Sequence, residues 1–234
     1  MTNLAYPQSP QSSPVRELKL RYPHLVKSIE IRPKILYYGT PVALVVTEND
    51  DATFNLAPMS SSWTLGYTIV LGFGESSQTA ANLRAREQLT INFPSPDLFE
   101  AVERLAPLTG RDPVPAAKRA QFRTERRKFE AAGLTPAASL DVRPPRVREC
   151  PLQLEATVAK IHDTSDPQLG ALIVEAHVVR VHAHPSIVQG ESHIDVSAWH
   201  PLLYVYRHYF GRGEYLGPTF RADTKLERHS SHTG

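Results

Sequence analysis

The chain has 234 residues, 41% of them apolar, and a formal net charge of +2 at pH 7. A charge so close to zero excludes a global electrostatic attraction to nucleic acid or to an anionic membrane. The 20 prolines against 12 glycines favour a fold with many loops and few long elements, and all-β barrels of this length commonly form one domain.

The two ends of the chain differ in composition from the rest. Residues 1–14 are rich in Pro, Ser and Gln, and residues 221–234 are mostly charged or small and polar. Neither end has enough apolar surface to offset the entropy of ordering. We predict a flexible arm at 1–20, one folded domain at 21–220 with a helical insertion at about 107–149, and a flexible tail over the last fourteen residues.

Signals for secretion or membrane insertion are missing from the sequence. The N-terminus has no basic segment followed by an apolar run, and no stretch approaches the roughly 18 consecutive apolar residues of a membrane span. Cys150 is the only cysteine, which excludes an intramolecular disulfide and fits a reducing compartment. We therefore expect a cytoplasmic protein with no membrane partner.

Short β-branched runs predict the first strands of the domain. Pro41–Thr47 is apolar and ends at the polar cluster Glu48–Asp51, as expected of a buried strand that enters a hairpin. Tyr67–Phe73 has the same character, and Gln88–Phe93 alternates like a half-buried strand. These three segments predict a mainly β fold.

Two helices are predicted around the third of these strands. Alanine and leucine favour a helix over Thr79–Glu87, and the polar residues at its start can cap it. A second helix begins with Ser95 as N-cap and Pro96 at its first position. Its apolar face repeats at Leu98, Val102 and Leu105.

The second half of the chain alternates between helix and strand signals. An amphipathic helix is predicted at about Lys118–Ala132, because Phe122 and Phe129 stand seven residues apart on one face. Strict alternation then predicts two strands, at Leu152–Ile161 and Ala171–Ala183, joined by a turn. The last ordered block is aromatic and basic together, which suits a pocket wall or a subunit contact; it spans Trp199–Phe210.

The most informative segment is Asn55–Ser62, in which hydroxyl residues follow a proline-fixed turn between two strands. Such a loop can aim backbone N–H groups and hydroxyls at one anion. The helix start at Thr79–Asn82 would offer its N–H groups and positive dipole end to the same anion. Each piece alone is compatible with a solvated turn or a simple helix cap. Together they predict a phosphate site.

The order and spacing of these segments resemble the flavin reductase-like proteins with an FMN-binding split β-barrel. The resemblance covers about residues 30–215, and no single motif in it is specific. The fold class that it implies is mainly β, a β-barrel with α-helical decorations. The segments that carry it are, in chain order, Gly39–Val45, Asn55–Ser61, Thr79–Asn82, Leu89–Asn92, Val147–Glu155 and Pro201–Phe210.

This resemblance implies a function and a site. It implies a homodimer with FMN, less often FAD, near the subunit interface, and an oxidoreductase that passes hydride from NAD(P)H to flavin. No catalytic residue is assigned, because hydride passes directly from the nicotinamide to the flavin ring. A flavin-binding electron carrier or redox sensor without NAD(P)H oxidation remains the alternative. The implied flavin-binding residues are Asn55, Ala57, Pro58, Met59, Ser60, Ser61, Ser62, Thr79 and Asn82.

Two arginines and two histidines are further candidates for a phosphate site and a metal site. The family's phosphate site often includes a lysine or arginine, for which Arg84 and Arg86 are the nearest candidates. His182 and His184 would share a strand face, but no carboxylate or cysteine stands at a recognised spacing, so no metal site is predicted.

A basic run in the insertion could neutralise phosphates of nucleic acid or of NADPH. Acidic residues interleave with it and no aromatic stacking ladder accompanies it, so an ordinary solvated helix face is the favoured interpretation and no nucleic-acid partner is expected. The run consists of Lys118, Arg119, Arg123, Arg126, Arg127 and Lys128.

Overall fold

The computed structural model describes residues 28–164 and 169–213. The chain divides into two units after Leu36. The described part of the first unit contains no helix or strand, and all elements named below belong to the second unit. The predicted flexible arm at 1–20 and the predicted tail at 221–234 lie outside the described residues.

The described residues form three short α-helices and a larger number of strands. The helices are α1 (Gln78–Ala85), α2 (Phe99–Leu105) and α3 (Lys128–Ala132). The strands are, in chain order, β1 (Tyr38–Pro41), β2 (Ala43–Glu48), β3 (Phe54–Met59), β4 (Ser62–Leu65), β5 (Thr68–Gly74), β6 (Gln88–Phe93), β7 (Leu108–Thr109), β8 (Arg123–Thr124), β9 (Pro136–Ala137), β10 (Arg146–Val147), β11 (Leu152–Asp163), β12 (Ala171–Ala183), β13 (Val188–Gln189), β14 (His193–Ile194), β15 (Leu203–Val205) and β16 (His208–Phe210).

Seven antiparallel strands form the main sheet, in the order β3-β2-β6-β11-β12-β5-β4. Its two edge strands, β3 and β4, are joined by Ser60 and Ser61 alone. The three residue steps from Met59 to Ser62 span at most about 11 Å, so the sheet must curl until these edges come close together, as in a barrel. The backbone N–H of Gly72 in β5 donates to the carbonyl of Ser61 at 2.8 Å and extends the β4 edge toward β3.

Apolar side chains from alternate positions of the strands fill the barrel interior. Side chains of one strand alternate between the two faces of a sheet, so residues two apart share the interior. Each large aliphatic side chain buried here contributes about 1.5–3 kcal/mol relative to exposure. The largest fully buried members on the strands are Ile69, Leu71, Leu89, Ile91 and Leu172, and Leu83 of α1 belongs to the same cluster.

A second apolar cluster covers the outer face of β2 and β3. Leu44 and Val46 of β2 point outward and pack with Val102 and Leu105 of α2. β2 is therefore buried on both faces, which explains its unbroken apolar sequence. Cys150 lies in this cluster, and burial raises the pKa of its thiol well above the ordinary value.

The predicted strands and the first two predicted helices are confirmed, with shifted ends. α1 begins one residue earlier than predicted, and the Ser77 hydroxyl caps it by accepting the backbone N–H of Ala80 at 3.0 Å. Ser95 and Pro96 begin a 3₁₀ turn that leads into α2. β11 and β12 match the two strands predicted in the second half.

The prediction of a loop at Asn55–Ser62 is wrong for most of its length. Residues 54–59 are strand β3, which pairs with β2 from Phe54 to Met59. Pro58 is tolerated because β3 is an edge strand, where a residue without an N–H breaks no ladder on its free side. Only Ser60 and Ser61 lie between β3 and β4.

The prediction of one helix over Lys118–Ala132 is also wrong. The segment contains a 3₁₀ turn at Ala116–Lys118, strand β8 and the five-residue α3, which ends at Gly133 with φ of 68°. β8 pairs in parallel with β7, and this tertiary pairing replaces the helix that local propensity favours. The helical character expected of residues 107–149 is limited to these short turns.

No helix of the described residues is both long enough and apolar enough to cross a membrane.

Candidate functional site

Two adjoining cavities lie against β3 and share Pro58, Ala106 and Phe122 in their walls. The first, of about 350 Å³, is lined mainly by apolar and tyrosine side chains and is named here the aromatic cavity. The second, of about 140 Å³, contains two lysines and the start of α1 and is named the cationic cavity. Together they reach the size of small-molecule sites, roughly 300–1,000 Å³.

Three tyrosines form one wall of the aromatic cavity. The rings of Tyr37 and Tyr204 lie 5.5 Å apart at 72°, and those of Tyr204 and Tyr209 lie 5.7 Å apart at 57°. Tyr204 and Tyr209 face each other across the hairpin of β15 and β16. Its two-residue turn places Tyr206 and Arg207 at positive φ, 44° and 71°, as hairpins with a matching twist require.

The phenol of Tyr209 is held neutral in this wall. It donates a 2.8 Å hydrogen bond to the Glu103 carboxylate. Partial burial, and then this carboxylate, raise the pKa of Tyr209 above its ordinary value. The wall therefore presents uncharged aromatic faces to the cavity.

Another part of the aromatic cavity's lining comes from the end of β3 and its connection to β4. Pro58, Met59, Ser60 and Ser61 line it. The Ser61 and Tyr37 hydroxyls lie within hydrogen-bonding distance, at 2.7 Å. This contact fixes the Ser61 side chain at the edge of the cavity.

A buried lysine defines the cationic cavity. The side chain of Lys128 is 3% exposed, and its Nζ donates a 2.9 Å hydrogen bond to Oδ1 of Asn55. No carboxylate of the described residues forms an ion pair with it. Burial lowers the pKa of Lys128 to about 8. A buried cation with only a neutral partner is costly, and a bound anion would offset that cost.

The start of α1 faces the same cavity. Nδ2 of Asn55 donates to Oγ1 of Thr79 at 3.0 Å, so Asn55 joins Thr79 to Lys128. A hydroxyl that accepts a bond retains its own hydrogen as a donor. The positive end of the helix dipole, the Thr79 hydroxyl and the Lys128 ammonium thus converge, and a second lysine, Lys118, lies in the same wall.

Seven of the nine predicted flavin-binding residues line the two cavities. Asn55, Ala57 and Thr79 line the cationic cavity, Met59, Ser60 and Ser61 line the aromatic cavity, and Pro58 lines both. Ser60 and Ser61 therefore do not share a cavity with Thr79. Ser62 is the first residue of β4, where it pairs with Leu71.

Asn82 lies instead in a third cavity, of about 270 Å³, named here the outer cavity. Its amide donates to Thr47 at 3.0 Å and to Asn49 at 2.8 Å, and its carbonyl accepts from Gln78 at 2.7 Å. These bonds tie α1 to β2. A direct contact of Asn82 with flavin remains a prediction.

The two arginines considered for the phosphate are engaged elsewhere. Arg84 pairs with Asp163 at 3.2 Å and Arg86 pairs with Asp50 at 2.8 Å, and neither lines the cationic cavity. The buried cation that does line the cationic cavity is Lys128. The basic run at 118–128 was expected to be a solvated face, and this interpretation is wrong for Lys128, which is buried. No feature of the sequence distinguishes Lys128 from the neighbouring Arg126 and Arg127, which are exposed.

A metal centre is not found in the described part of the chain, where no three His, Cys, Asp or Glu side chains are placed to hold an ion. The two histidines on the β12 side have protein partners. Nε2 of His182 lies 2.6 Å from the Glu155 carboxylate, and Nε2 of His184 lies 2.9 Å from the carbonyl of Arg148.

A mainly β fold whose seven-stranded sheet curls until its edge strands come close together is a split β-barrel, here with a cationic cavity beside an aromatic one. The chain belongs to the flavin reductase like domain family, whose model matches residues 35–213. It is 45% identical to the uncharacterized protein YdfE of Bacillus subtilis (strain 168) over 196 residues, 83% of this chain and 94% of that protein. Membership of this family makes it a flavin-related oxidoreductase.

Solved structures share this fold at low sequence identity. Flavoredoxin of Desulfovibrio vulgaris (Miyazaki F) superposes with a TM-score of 0.68 at 22% identity, over 86% of this chain and 100% of that one. A protein of Shewanella frigidimarina with a split barrel domain gives 0.64 at 21%, over 79% and 87%. The 2-nitrobenzoate 2-nitroreductase of Pseudomonas fluorescens gives 0.63 at 18%, over 91% and 96%.

Proposed function

We propose that this chain is an FMN-dependent oxidoreductase that passes hydride from NAD(P)H to flavin. The observation that carries the proposal is the buried Lys128 ammonium, which faces the start of α1 with only a neutral hydrogen-bond partner, directly beside a cavity walled by tyrosines. One end of this paired site suits a phosphate dianion and the other suits a planar aromatic ring.

The donor set of the cationic cavity fits the FMN phosphate. Lys128 would neutralise part of its charge, and the Thr79 hydroxyl would donate to one of its oxygens. The carbonyl of Asn55 already orients the ammonium, so little side-chain entropy would be lost on binding. A charge-assisted bond to phosphate contributes about 1.5–3 kcal/mol.

The aromatic cavity fits the isoalloxazine ring by the chemistry of its lining. Pro58 and Met59 offer an apolar surface on one side, and the tyrosine wall offers neutral ring faces on the other. Flavin, when bound, supplies the hydride-accepting chemistry. The chain's own residues would orient the ring and exclude water from it, which accounts for the lack of an acid–base pair among the residues assigned here.

Anaerobic spectroscopy tests the proposal. The protein would be saturated with FMN, freed of excess cofactor and mixed with NADH or NADPH in a stopped-flow instrument. We expect visible flavin absorption after saturation and its rapid bleaching by at least one nicotinamide. Protein that retains no flavin after saturation would overturn the whole proposal. Flavin that binds but is bleached by neither nicotinamide would identify the chain as an electron carrier or redox sensor instead.

A homodimer is part of this proposal. Trp63, Leu65 and Tyr67 at the β4–β5 hairpin are 58%, 74% and 65% exposed. Trp63 stands opposite Val70 and Leu65 opposite Thr68 in the register of that hairpin, so the apolar part of this face is Trp63, Leu65 and Val70. Gly72 continues β5 into the wall of the aromatic cavity. A second copy seated on this face would border the proposed flavin ring.

A further inference from the structure

Residues 112–122, named here the strap, connect β7 to β8 and are fixed mainly at their ends. The parallel pairing of β7 with β8 joins the two ends, and the Thr124 hydroxyl donates a 2.7 Å hydrogen bond to the carbonyl of Arg111. No residue of the strap is buried. Within the described part of the chain, the hydrogen bonds that the strap makes stay inside it. A segment with so few contacts to the rest of the fold opens locally at low cost.

Two side chains of the strap line the proposed flavin site. Phe122 lines both the aromatic and the cationic cavity, and Lys118 lines the cationic cavity. The Lys118 ammonium lies 5.7 Å from the centre of the Phe122 ring, a distance typical of a cation–π contact. It also lies near the end of β5, since a Cβ atom on Gly74 would be 3.8 Å from its Nζ. The position of Lys118 is therefore coupled to that of the ring between the two cavities.

Lys118 has no ionic partner that would hold it in this position. It forms no ion pair with a carboxylate of the described residues, and the other cation of the cavity is Lys128. Burial is the main cause of the lowered pKa of Lys128, the charge of Glu125 opposes it, and the charge of Lys118 lowers the pKa further. The two ammonium groups therefore repel each other. Lys128 is fixed by Asn55, so the repulsion acts on the more exposed Lys118 and on the strap that carries it.

A phosphate group between the two lysines would turn this repulsion into attraction, because the charge of a dianion matches the charge of both ammonium groups. We propose that Lys118 closes the strap over the site when an anionic phosphate occupies the cationic cavity, and that the flavin ring alone does not close it. This inference rests on the proposed function for the source of the phosphate. One charge-assisted bond would shift the strap toward its closed position by about 10- to 100-fold. A flavin with a phosphate would then be enclosed, and a flavin without one would not.

Hydrogen–deuterium exchange of the purified full-length apoprotein tests the inference. Exchange in peptides of the strap would be followed by mass spectrometry without ligand and with saturating FMN, riboflavin or inorganic phosphate, all at one ionic strength. The variants are Lys118→Met, which removes the charge, and the matched control Arg123→Met. Arg123 is exposed, directly follows the strap and lines none of the three cavities. Exchange in β11, a central strand of the main sheet, shows whether each variant is folded.

We expect FMN to slow exchange in the strap of the wild type by about tenfold or more, and riboflavin to slow it by less than about threefold. Inorganic phosphate should act in the same direction as FMN. Lys118→Met should lose this protection although it still binds FMN, and Arg123→Met should keep it. Equal protection by FMN and riboflavin would overturn the inference, because contact of the ring with Phe122 would then close the strap.

Two further outcomes separate this inference from the proposed function. FMN that binds without slowing exchange in the strap, or that slows it equally in Lys118→Met, would overturn the inference and leave the proposed function standing. Failure of the wild type to bind any flavin would overturn the proposed function. Inorganic phosphate then becomes the deciding probe, and a strap whose exchange it does not slow would overturn the inference as well.

Discussion

Nζ of Lys128 donates a 2.9 Å hydrogen bond to Oδ1 of Asn55, although 73 positions separate the two residues. The same amide donates through Nδ2 to Thr79. One asparagine thereby joins α3, β3 and the start of α1 around a single point. The position of the buried charge is consequently fixed by three elements of the fold and does not depend on the flexibility of a lysine side chain.

Replacement of Lys128 by methionine should separate phosphate binding from ring binding. We expect Lys128→Met to weaken FMN by about 10- to 100-fold, the effect of one charge-assisted bond, and to leave riboflavin, which has no phosphate, within about threefold. The free energy of unfolding should change little, because removal of the costly buried cation offsets the loss of the hydrogen bond to Asn55.

Fluorescence titration with both flavins and chemical denaturation measure these two effects. Arg127→Met is the matched control, since the adjacent Arg127 side chain is 77% exposed and pairs only with Glu130 among the described residues. Equal loss of FMN and riboflavin would show that Lys128 supports the fold of the site and does not bind phosphate.

The pH dependence of FMN binding should report Lys128 as well. Burial lowers the pKa of Lys128 to about 8, so the free protein loses this charge as the pH rises above that value. A bound phosphate stabilises the protonated form, and binding must then take up a proton. We expect the FMN association constant to fall by up to about tenfold per pH unit above pH 8. Lys128→Met protein, titrated over the same range, should show a flat profile, as should riboflavin with the wild type.

The strands of the barrel could be predicted because the burial of one or both faces of a strand produces a recognisable apolar pattern in its sequence. Leu152–Ile161 alternates, since one face of β11 packs in the barrel, and Pro41–Thr47 is continuously apolar, since both faces of β2 are buried. The sequence predicts a loop at Asn55–Ser62, but the part up to Met59 belongs to strand β3, because an edge strand accepts Pro58.

The cationic cavity could be predicted only in part. Asn55 and Thr79 were named because they belong to recognisable motifs. Lys128 belongs to a basic run for which the sequence favours a solvated face, because its burial depends on the pairing of β7 with β8 and on the turn before α3, which are contacts between segments with no periodic signal. Tyr37 was missed for a similar reason, since its place in the wall follows from the β15–β16 hairpin against which it packs.

Glu155 should be a strong contributor to stability. Its fully buried carboxylate accepts the backbone N–H groups of Leu140, Asp141 and Val142 at 2.6–3.1 Å and lies 2.6 Å from His182. Desolvation alone would raise the pKa of Glu155, but these donors outweigh it and lower the pKa below its ordinary value of 4.5. We expect Glu155→Gln to lower the free energy of unfolding by about 2–4 kcal/mol at pH 7.

The pH dependence of this loss gives an independent check. A carboxyl whose pKa is lowered in the folded state stabilises the protein fully above its unfolded-state pKa, and this contribution disappears as the pH falls through the folded-state pKa. The difference between wild type and Glu155→Gln in urea denaturation should therefore shrink below about pH 4.5. Glu175→Gln, at an exposed pair with His162, should show little loss at any pH. A constant difference from pH 7 to pH 3 would contradict the role assigned to the Glu155 charge.

Gly110 should tolerate no side chain. A Cβ atom there would lie 2.6 Å from Oδ1 of Asn55, the atom that orients Lys128. We expect Gly110→Ala to cost about 1–3 kcal/mol in the free energy of unfolding and to weaken FMN, because Asn55 must move. Gly213→Ala is the control, since a Cβ atom at Gly213 would meet nothing within 4 Å. Unchanged stability and FMN affinity in Gly110→Ala would contradict the close packing of Gly110 against Asn55.

The oligomeric state should depend on the apolar edge at β4. Leu65 is 74% exposed beside Trp63, and a glutamate there would be desolvated without a partner in the proposed dimer. We expect wild-type protein to sediment at twice the 26.1 kDa of one chain and Leu65→Glu to sediment as a monomer. Leu140→Glu is the matched control, because Leu140 is 68% exposed on the loop held by Glu155 and does not belong to the β4–β5 hairpin. A wild-type monomer, or a dimer that survives in Leu65→Glu, would exclude this face as the interface. If instead the dimer is lost and FMN affinity falls with it, the partner subunit must contribute to the aromatic cavity through the strand that carries Gly72.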